Sequence, residues 1–371
     1  MSFDAISCSG VGNTAGQAQT LAQTAQAAQP AGAGKPAGTA CPKDSVEISE
    51  QGKKLAATQK QEAAKIAGKN NVIASMTFKS GRTVNIEKVI FENESDALDQ
   101  PGTFTDEHRA TRGQKFGFRV NIFDPTGRTE KTFLLREDTI LNEDESGKLQ
   151  MKKYVEGAET EGNDLIIGLE GKNLRGGDGD DTIVELSSSH LDDYDYSLES
   201  LEIDTGNGND TVFVQGDVSA GSRIMTGDGN DSVRVSNRVR GVVDTGAGDD
   251  KVKARIVSGT EHVFRKDGKE VRQWHWGAVY TGDGDDTVEA LSVSARVDEG
   301  AAEITTGAGN DRVIVHTFNG KLDTGEGDDV IETYGLGGRT ATGAGNDVIR
   351  GFMVKNVDTG DGLFQQVHLN T

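Results

Sequence analysis

The segment "DTGEGDDVIETYGLGGRTATGAGNDVIRG", from Asp323 to Gly351, contains one pattern twice, 18 residues apart. Each copy is a six-residue loop, Thr-Gly-x-Gly-(Asp or Asn)-Asp, followed by two β-branched residues. A period near 20 is typical of solenoids. Eight intact copies of this acidic loop begin at Gly176, Thr205, Thr226, Thr245, Thr281, Thr306, Thr324 and Thr342.

A ninth copy, from Thr359, keeps both glycines but has Leu363 and Phe364 in place of the polar pair. Measured between first glycines, the nine copies are separated by 29, 21, 19, 36, 25, 18, 18 and 17 residues. The short intervals fit one flattened coil of two short strands and two turns. The long ones indicate insertions, and "RKDGKEVRQWHWG" (265–277) contains an Asp-Gly turn that predicts a protruding hairpin.

Apolar residues alternate after the loops, which places one face of a short strand inward at each coil. The pairs are Val212 and Val214, Val233 and Val235, Val288 and Ala290, and Val313 and Val315. A second strand must lead back to the next loop, as in "FNGKLD" (318–323). All five prolines lie at or before Pro125, as a continuously paired sheet requires. The fold class predicted is all-β, a parallel β-roll or β-solenoid.

Three regions are predicted along the chain. Residues 1–70 are rich in Ala, Gln, Gly and Thr and cannot bury enough apolar surface to fold, so a disordered region is expected. Residues 71–158 read as a small antiparallel β domain, because "KFGFRVNIF" (115–123) alternates strictly and "DPTG" (124–127) is a turn. Further hairpin turns are expected near Ser80 and Ser146. The solenoid occupies residues 159–371, and "EGNDLIIG" (161–168) is a degenerate first turn.

Almost all of the net charge of −21 comes from the repeat region, because residues 161–371 hold 39 acidic and 19 basic side chains. Such a surface repels nucleic acid and anionic membranes, so neither is an expected partner. The sequence has no run of 18 apolar residues and no cleavable signal peptide. If the protein is exported, another route must carry it.

Cys8 and Cys41 are the only cysteines, and no Cys-x-x-Cys pair exists to suggest a thiolate zinc site. In the acidic loops, every candidate metal ligand is an oxygen from a carboxylate, an amide or a backbone carbonyl. Stacked coils would place equivalent carboxylates about 4.8 Å apart, where they repel. An oxygen-only donor set in irregular geometry favours calcium over magnesium and over softer metals.

These loops resemble the hemolysin-type, or RTX, calcium-binding nonapeptide repeats, GGxGxDxUx with U a large aliphatic residue. The resemblance covers residues 161–362 and implies a parallel β-roll in which neighbouring coils share calcium ions through aspartate carboxylates and glycine carbonyls. Carried over by position, the metal ligands are Gly177, Gly179, Asp181, Gly206, Gly208, Asp210, Gly227, Gly229, Asp231, Gly246, Gly248, Asp250, Gly282, Gly284, Asp286, Gly307, Gly309, Asp311, Gly325, Gly327, Asp329, Gly343, Gly345 and Asp347.

Two features depart from the family pattern. The leading glycine is threonine in every copy after the first. Only alternate nonapeptides carry the loop, so one edge of the roll should bind calcium and the other should not. The residue before each aspartate is a further candidate ligand, at Asp180, Asn209, Asn230, Asp249, Asp285, Asn310, Asp328 and Asn346.

Two functions remain open from the sequence. The first is a non-catalytic bacterial protein, exported without a cleavable signal, that folds with calcium and has a structural or adhesive role at the cell surface or in the extracellular matrix. Its partners would be polysaccharide or protein. The alternative is a carbohydrate-active solenoid, a lyase or hydrolase, in which Trp274, His275 and Trp276 contact a sugar. The six histidines are scattered and suggest no catalytic pair, so an enzyme is not expected.

Overall fold

A computed structural model of the chain describes residues 72–91, 103–105, 115–169, 171–186, 201–266, 269–294, 302–360 and 363–368. The predicted disordered region 1–70, with Cys8 and Cys41, lies outside these residues. The described part is all-β and contains no helix, so it also contains no helix that could span a membrane. The predicted fold class is confirmed: a parallel β-solenoid follows a small antiparallel sheet.

The antiparallel sheet has five strands in the order β1-β2-β4-β3, with β5 also paired to β4. Their bounds are β1 Val72–Thr77, β2 Thr83–Phe91, β3 Thr103–Thr105, β4 Lys115–Phe123 and β5 Thr129–Leu134. The predicted turns are present, because the N–H groups of Gly81, Gly127 and Gly147 each donate to the carbonyl three residues earlier.

The larger solenoid sheet has twelve strands in the order β28-β26-β24-β22-β20-β16-β14-β12-β10-β8-β6-β7, all parallel from β8 onward. Their bounds are β6 Thr139–Glu143, β7 Leu149–Lys153, β8 Asp164–Gly168, β10 Thr182–Glu185, β12 Thr211–Val214, β14 Ser232–Val239, β16 Lys251–Ser258, β20 Thr287–Ser294, β22 Arg312–Asn319, β24 Val330–Leu336, β26 Asn346–Val354 and β28 Leu363–His368.

The second solenoid sheet has nine parallel strands, one from each coil, in the order β27-β25-β23-β21-β19-β15-β13-β11-β9. Their bounds are β9 Leu174–Asp178, β11 Glu202–Asn207, β13 Arg223–Met225, β15 Val242–Asp244, β19 Ala278–Tyr280, β21 Glu303–Thr305, β23 Lys321–Asp323, β25 Arg339–Ala341 and β27 Val357–Asp358. Each coil therefore alternates one strand of each sheet, and every acidic loop connects a strand of the nine-stranded sheet to the next strand of the twelve-stranded one.

Aliphatic side chains from both sheets meet in one continuous core. On the twelve-stranded sheet, Val288, Val313 and Ile331 are paired neighbours in one column. On the nine-stranded sheet, Ile304 and Leu322 form part of the facing column. The valine pairs identified in the sequence all belong to this core, which confirms their inward orientation.

The antiparallel sheet contributes to a second core. Its buried Phe116, Phe118 and Val120 cluster with Val184 and Phe213 of the solenoid. These two solenoid residues alternate with the inward-facing ones on β10 and β12, so they lie on the outer face of the twelve-stranded sheet. The small sheet therefore covers that face over the first coils.

Residues 71–371 form one compact unit. The strands β6 and β7 extend the twelve-stranded sheet, although they precede residue 159. The division into 71–158 and 159–371 stays a prediction about which parts fold independently.

The predicted hairpin insertion is present as β17 Thr260–Lys266 and β18 Lys269–His275, which pair only with each other. At its base, Gly259 is so close to Trp276 that an added Cβ would lie 2.5 Å from the indole ring. Trp276 therefore packs against the chain at the base of the hairpin. The side chain of Trp274 lies outside the described set.

Candidate metal centre

The acidic loops stack directly on one another at one edge of the solenoid. The third residue of each loop pairs in parallel with the third residue of the next, from Asn207 to Ala344. The N–H of the second glycine donates to the carbonyl of the third residue in the following coil, at 2.7–2.9 Å. The loops thus continue the hydrogen-bonded ladder of the strands through the turn.

Both glycines of the loop are required by close contact as well as by backbone conformation. Gly282 has φ +90° and Gly284 has φ +139°. A Cβ at Gly282 would lie 1.7 Å from the carbonyl oxygen of Gly246, and one at Gly284 would lie 2.1 Å from that of Gly248. A larger residue would therefore push adjacent coils apart.

The sixth loop residues form an inner row of carboxylates, which are only 1–2% exposed. Each Oδ1 atom accepts a hydrogen bond of 2.7–3.2 Å from the backbone N–H of the equivalent residue in the preceding coil. The inner row consists of Asp181, Asp210, Asp231, Asp250, Asp286, Asp311, Asp329 and Asp347.

The second carboxylate oxygen, Oδ2, of every inner-row residue is buried and accepts no hydrogen bond among the described residues. The leading threonine hydroxyl of the same loop lies close enough to six of these carboxyls to lower their pKa, but it donates to a backbone carbonyl of the next coil. A buried acceptor without a partner is costly, and a buried charge without a partner is more so. Burial accordingly raises the pKa of inner-row carboxyls above the usual value of 3.8, as it does for Asp231 and Asp311. The pKa is about 6 for Asp210 and Asp250 and about 7 for Asp286 and Asp329. It is about 8 for Asp181.

The fifth loop residues form an outer row on the exposed side of the same edge. These are Asp180, Asn209, Asn230, Asp249, Asp285, Asn310, Asp328 and Asn346. In all of them but Asn346, the side-chain Oδ1 accepts from the N–H of the equivalent residue in the following coil, at 2.7–3.0 Å. The outer row runs in the opposite direction to the inner row.

A third row is formed by the leading threonines, which are fully buried. The hydroxyl of Thr306 donates to the carbonyl oxygen of Thr324 at 3.2 Å, and that of Thr324 donates to Thr342 at 3.3 Å. The same bond joins each pair of consecutive coils from Thr205 onward. Threonine at the leading position therefore supplies a coil-to-coil bond that glycine could not make.

The row begins and ends with altered loops. Asp164 takes the sixth position of the first, degenerate loop, and its carboxylate accepts from the N–H and hydroxyl of Thr160. Its own N–H donates to Asp181 at 2.8 Å. At the other end, the strand register pairs Asp347 with Phe364, so no carboxylate continues the row.

The long intervals do not interrupt the row. Asp181 and Asp210 are 29 residues apart and Asp250 and Asp286 are 36 apart, yet each pair is joined by a hydrogen bond of 2.7–2.8 Å. The structure therefore brings all eight predicted aspartates into one line. Sequence reasoning did not find the role of the leading threonines, although their presence in seven of the eight intact copies was a visible signal.

The first glycines of the loops differ from the aspartates, because several of their carbonyl oxygens already accept a hydrogen bond. The carbonyls of Gly227, Gly282, Gly307 and Gly325 accept from the third-residue N–H of the following coil at 2.9–3.0 Å. Within the described residues, no cluster of three or more histidine, cysteine, aspartate or glutamate side chains is placed to hold one metal ion. A cation between two coils would thus bind the inner-row carboxylates together with loop carbonyl oxygens.

The donor set fits a hard cation. Every polar atom along the inner row is an oxygen or a backbone N–H, and an unpartnered carboxylate oxygen recurs at each coil. Oxygen donors are the ligands that calcium prefers.

Comparison with known proteins found no matching family model, no matching curated protein and no matching solved structure.

Proposed function

We propose that the acidic loops bind calcium along the inner row, and that the protein is an exported repeat protein whose solenoid folds with calcium. The observation that carries this proposal is the buried Oδ2 atom, without a hydrogen-bond partner, on every inner-row aspartate. A role limited to the Oδ1 hydrogen bond would be filled equally well by asparagine. The outer row uses asparagine at four of its eight positions, whereas the inner row uses none.

The energetic argument concerns the stacking of coils. Two carboxylates about 4.8 Å apart repel by roughly 3 to 4 kcal/mol at an effective dielectric near 20. The valine core and the backbone ladder hold the coils at this spacing, so the carboxylates cannot move apart without unstacking. Bound calcium would supply the positive charge that offsets this repulsion, and its binding free energy would add to folding.

A structural or adhesive role at the cell surface or in the extracellular matrix follows from this behaviour. A chain whose folding requires calcium stays unfolded where calcium is scarce and folds where it is abundant. Extracellular calcium modules have dissociation constants of roughly 0.1–1 mM. A rigid solenoid that assembles at such concentrations suits a protein that works outside the cell.

A calcium titration of the full chain, followed by far-UV circular dichroism, tests the proposal. Strand content should rise cooperatively between EDTA and about 5–10 mM calcium, roughly ten times the expected dissociation constant. Magnesium at the same ionic strength should substitute poorly, which separates coordination from charge screening. Identical spectra with full strand content in EDTA and in calcium would refute the proposal.

A further inference from the structure

The outer face of the twelve-stranded sheet changes character along the solenoid. Over the first coils it is covered by the antiparallel sheet, and Phe213 on β12 is the last residue of that shared core. The next strands, β14 and β16, place charged side chains on the same face. These are Arg234, Lys251, Lys253 and Arg255, all exposed, and they form a basic band.

The basic band carries more positive charge than its neighbours neutralise. Lys253 pairs with Glu289, and the ammonium group of Lys251 lies 3.9 Å from the same carboxylate. The guanidinium group of Arg255 donates to the neutral amide oxygen of Asn237 at 3.2 Å. That of Arg234 lies 5.7 Å from the ring centroid of Phe213. One carboxylate thus faces two lysines, and the two arginines contact uncharged groups.

This band contrasts with the repeat region as a whole, in which acidic side chains outnumber basic ones by 39 to 19. The acidic groups of the loops are gathered at one edge, whereas the band lies on a sheet face. A charge distribution separated in this way creates a local positive potential on an acidic protein. An anionic chain would be repelled by the loop edge and attracted only along this face.

An apolar strip continues the band toward the C-terminal coils. The register places Leu291 beside Arg255, because Ala254 pairs with Ala290 and Ile256 with Ser292. His316, Tyr334 and Phe352 follow in the same column on successive strands.

The aromatic rings of the strip stack on one another and leave their edges in solvent. The ring centroids of His316 and Tyr334 are 5.2 Å apart, and those of Tyr334 and Phe352 are 5.6 Å apart. Tyr334 is 49% exposed, Phe352 45% and the adjacent Met353 51%. A contiguous exposed row of this kind is a candidate interaction surface.

We propose that the basic band and the apolar strip form one binding surface for a linear carboxylated polysaccharide that lies along the solenoid axis. Spaced arginine and lysine side chains would bind its carboxylates, and the strip would contact the C–H faces of its sugar rings. Nucleic acid is also a polyanion that a protein of net charge −21 repels away from the band, so single-stranded DNA is included in the test as the competing ligand. The surface rests on the proposed function, since band and strip are continuous only when the coils are stacked.

Binding of fluorescently labelled polygalacturonate to the full chain in saturating calcium tests this inference, with neutral galactan as the reference polymer. The variant Arg234→Ser/Arg255→Ser should weaken polygalacturonate binding about fivefold or more at low salt, since it removes two charge contacts. The matched control is Arg223→Ser/Arg339→Ser, which removes two exposed arginines from the nine-stranded sheet. It should change binding by less than about twofold.

The apolar strip is tested separately by Tyr334→Ser/Phe352→Ser. This variant should weaken binding without changing its dependence on salt, because no charge is removed. Circular dichroism in calcium confirms that each variant is folded.

The inference is overturned by equal losses in the band variant and its control, by equal affinity for galactan, or by tighter binding of single-stranded DNA. Self-association that the band variant abolishes, without polymer binding, would assign the surface to a second copy of the chain and would also overturn it. If the chain folds with calcium but does not bind polygalacturonate, this inference alone is refuted. A chain indifferent to calcium refutes the proposed function.

Discussion

The inner and outer rows of the loop edge use the same kind of side chain in opposite ways. In both rows, an Oδ1 atom accepts a backbone N–H from an adjacent coil, as those of Asp329 and Asn310 do. The outer row is exposed and tolerates asparagine, whose amide even donates to the neighbouring aspartate, as Asn310 does to Asp285 at 3.1 Å. The inner row is buried and consists of aspartate alone, with its second oxygen unpartnered.

This difference separates a hydrogen-bonding role from a charge-bearing role. The outer row keeps adjacent loops in register and needs only an acceptor oxygen. The inner row bears charge where charge is costly, since burial, together with repulsion from Asp311 and Asp347, raises the pKa of Asp329 to about 7. A buried row of charges is tolerated only with a compensating cation or with protonation.

The largest expected effect is therefore a contrast between neighbouring positions. Asp329→Asn keeps the acceptor for the Asp311 N–H but removes the inner-row charge, and should raise the calcium midpoint of folding several-fold. Asp328→Asn makes the same change in the outer row and should shift that midpoint by less than about twofold, as expected for an exposed charge. Circular dichroism during calcium titration measures both.

Without calcium, the charge removed by Asp329→Asn should no longer be needed. At pH 7.5 in EDTA, this variant should be no less stable than the wild type, because it removes repulsion between buried carboxylates. Equal calcium midpoints for the two variants would show that the rows do not differ in function.

The pH dependence in chelator should follow the inner row. Folding raises the pKa of these carboxyls from 3.8 to about 6 for Asp210, about 7 for Asp286 and about 8 for Asp181. A raised folded-state pKa means that the folded chain holds protons more tightly than the unfolded chain. Stability is then fully present below about pH 4 and is lost as the pH rises toward 8.

Urea unfolding in EDTA at several pH values measures this loss, with saturating calcium as the control. Calcium should remove most of the decline between pH 5 and pH 8. Stability in EDTA that increases over this range would contradict the assignment of buried, unpaired carboxyls to the inner row.

A core substitution distinguishes packing from charge. Val313 is 1% exposed and lies between Val288 and Ile331 in its column. Val313→Ala should lower the free energy of unfolding by about 1 to 3 kcal/mol through lost packing. Because no charge changes, urea unfolding in saturating calcium should give the same loss at pH 5 and at pH 8. A pH-dependent loss would indicate that the core and the inner row are coupled.

The smallest expected effect is in the threonine row. Thr306→Val removes the hydroxyl that donates to the carbonyl of Thr324 at 3.2 Å and preserves the shape of the side chain. A loss of about 0.5–1.5 kcal/mol in the free energy of unfolding is expected for one hydrogen bond. A calcium-midpoint shift as large as that of Asp329→Asn would instead place this hydroxyl in the cation site.

Much of the solenoid could be predicted from the sequence, because its rules are local and repeated. The alternation around Val313 fixed the inward face, and the glycines of the loop fixed the turn. The hairpin of β17 and β18 followed from its Asp-Gly turn. In each case, residues close in the chain determined the structure.

Features that depend on distant residues could not be predicted. The 29- and 36-residue intervals indicated insertions, but only the hydrogen bonds of Asp210 and Asp286 show that the loops on either side stack without a gap. The position of the antiparallel sheet depends on a core that Phe118 and Phe213 share, although they are far apart in sequence. The threonine hydroxyls were seen as a departure from a glycine pattern, because their partners lie in the next coil.

A crystal structure at calcium saturation, with anomalous scattering from the ion, shows directly whether the inner row binds calcium. Anomalous peaks are expected along the inner row, next to the Oδ2 atoms of successive aspartates such as Asp311 and Asp329. An inner row without peaks, or peaks only beside the outer row at Asp328 and its equivalents, would contradict calcium binding at the inner row.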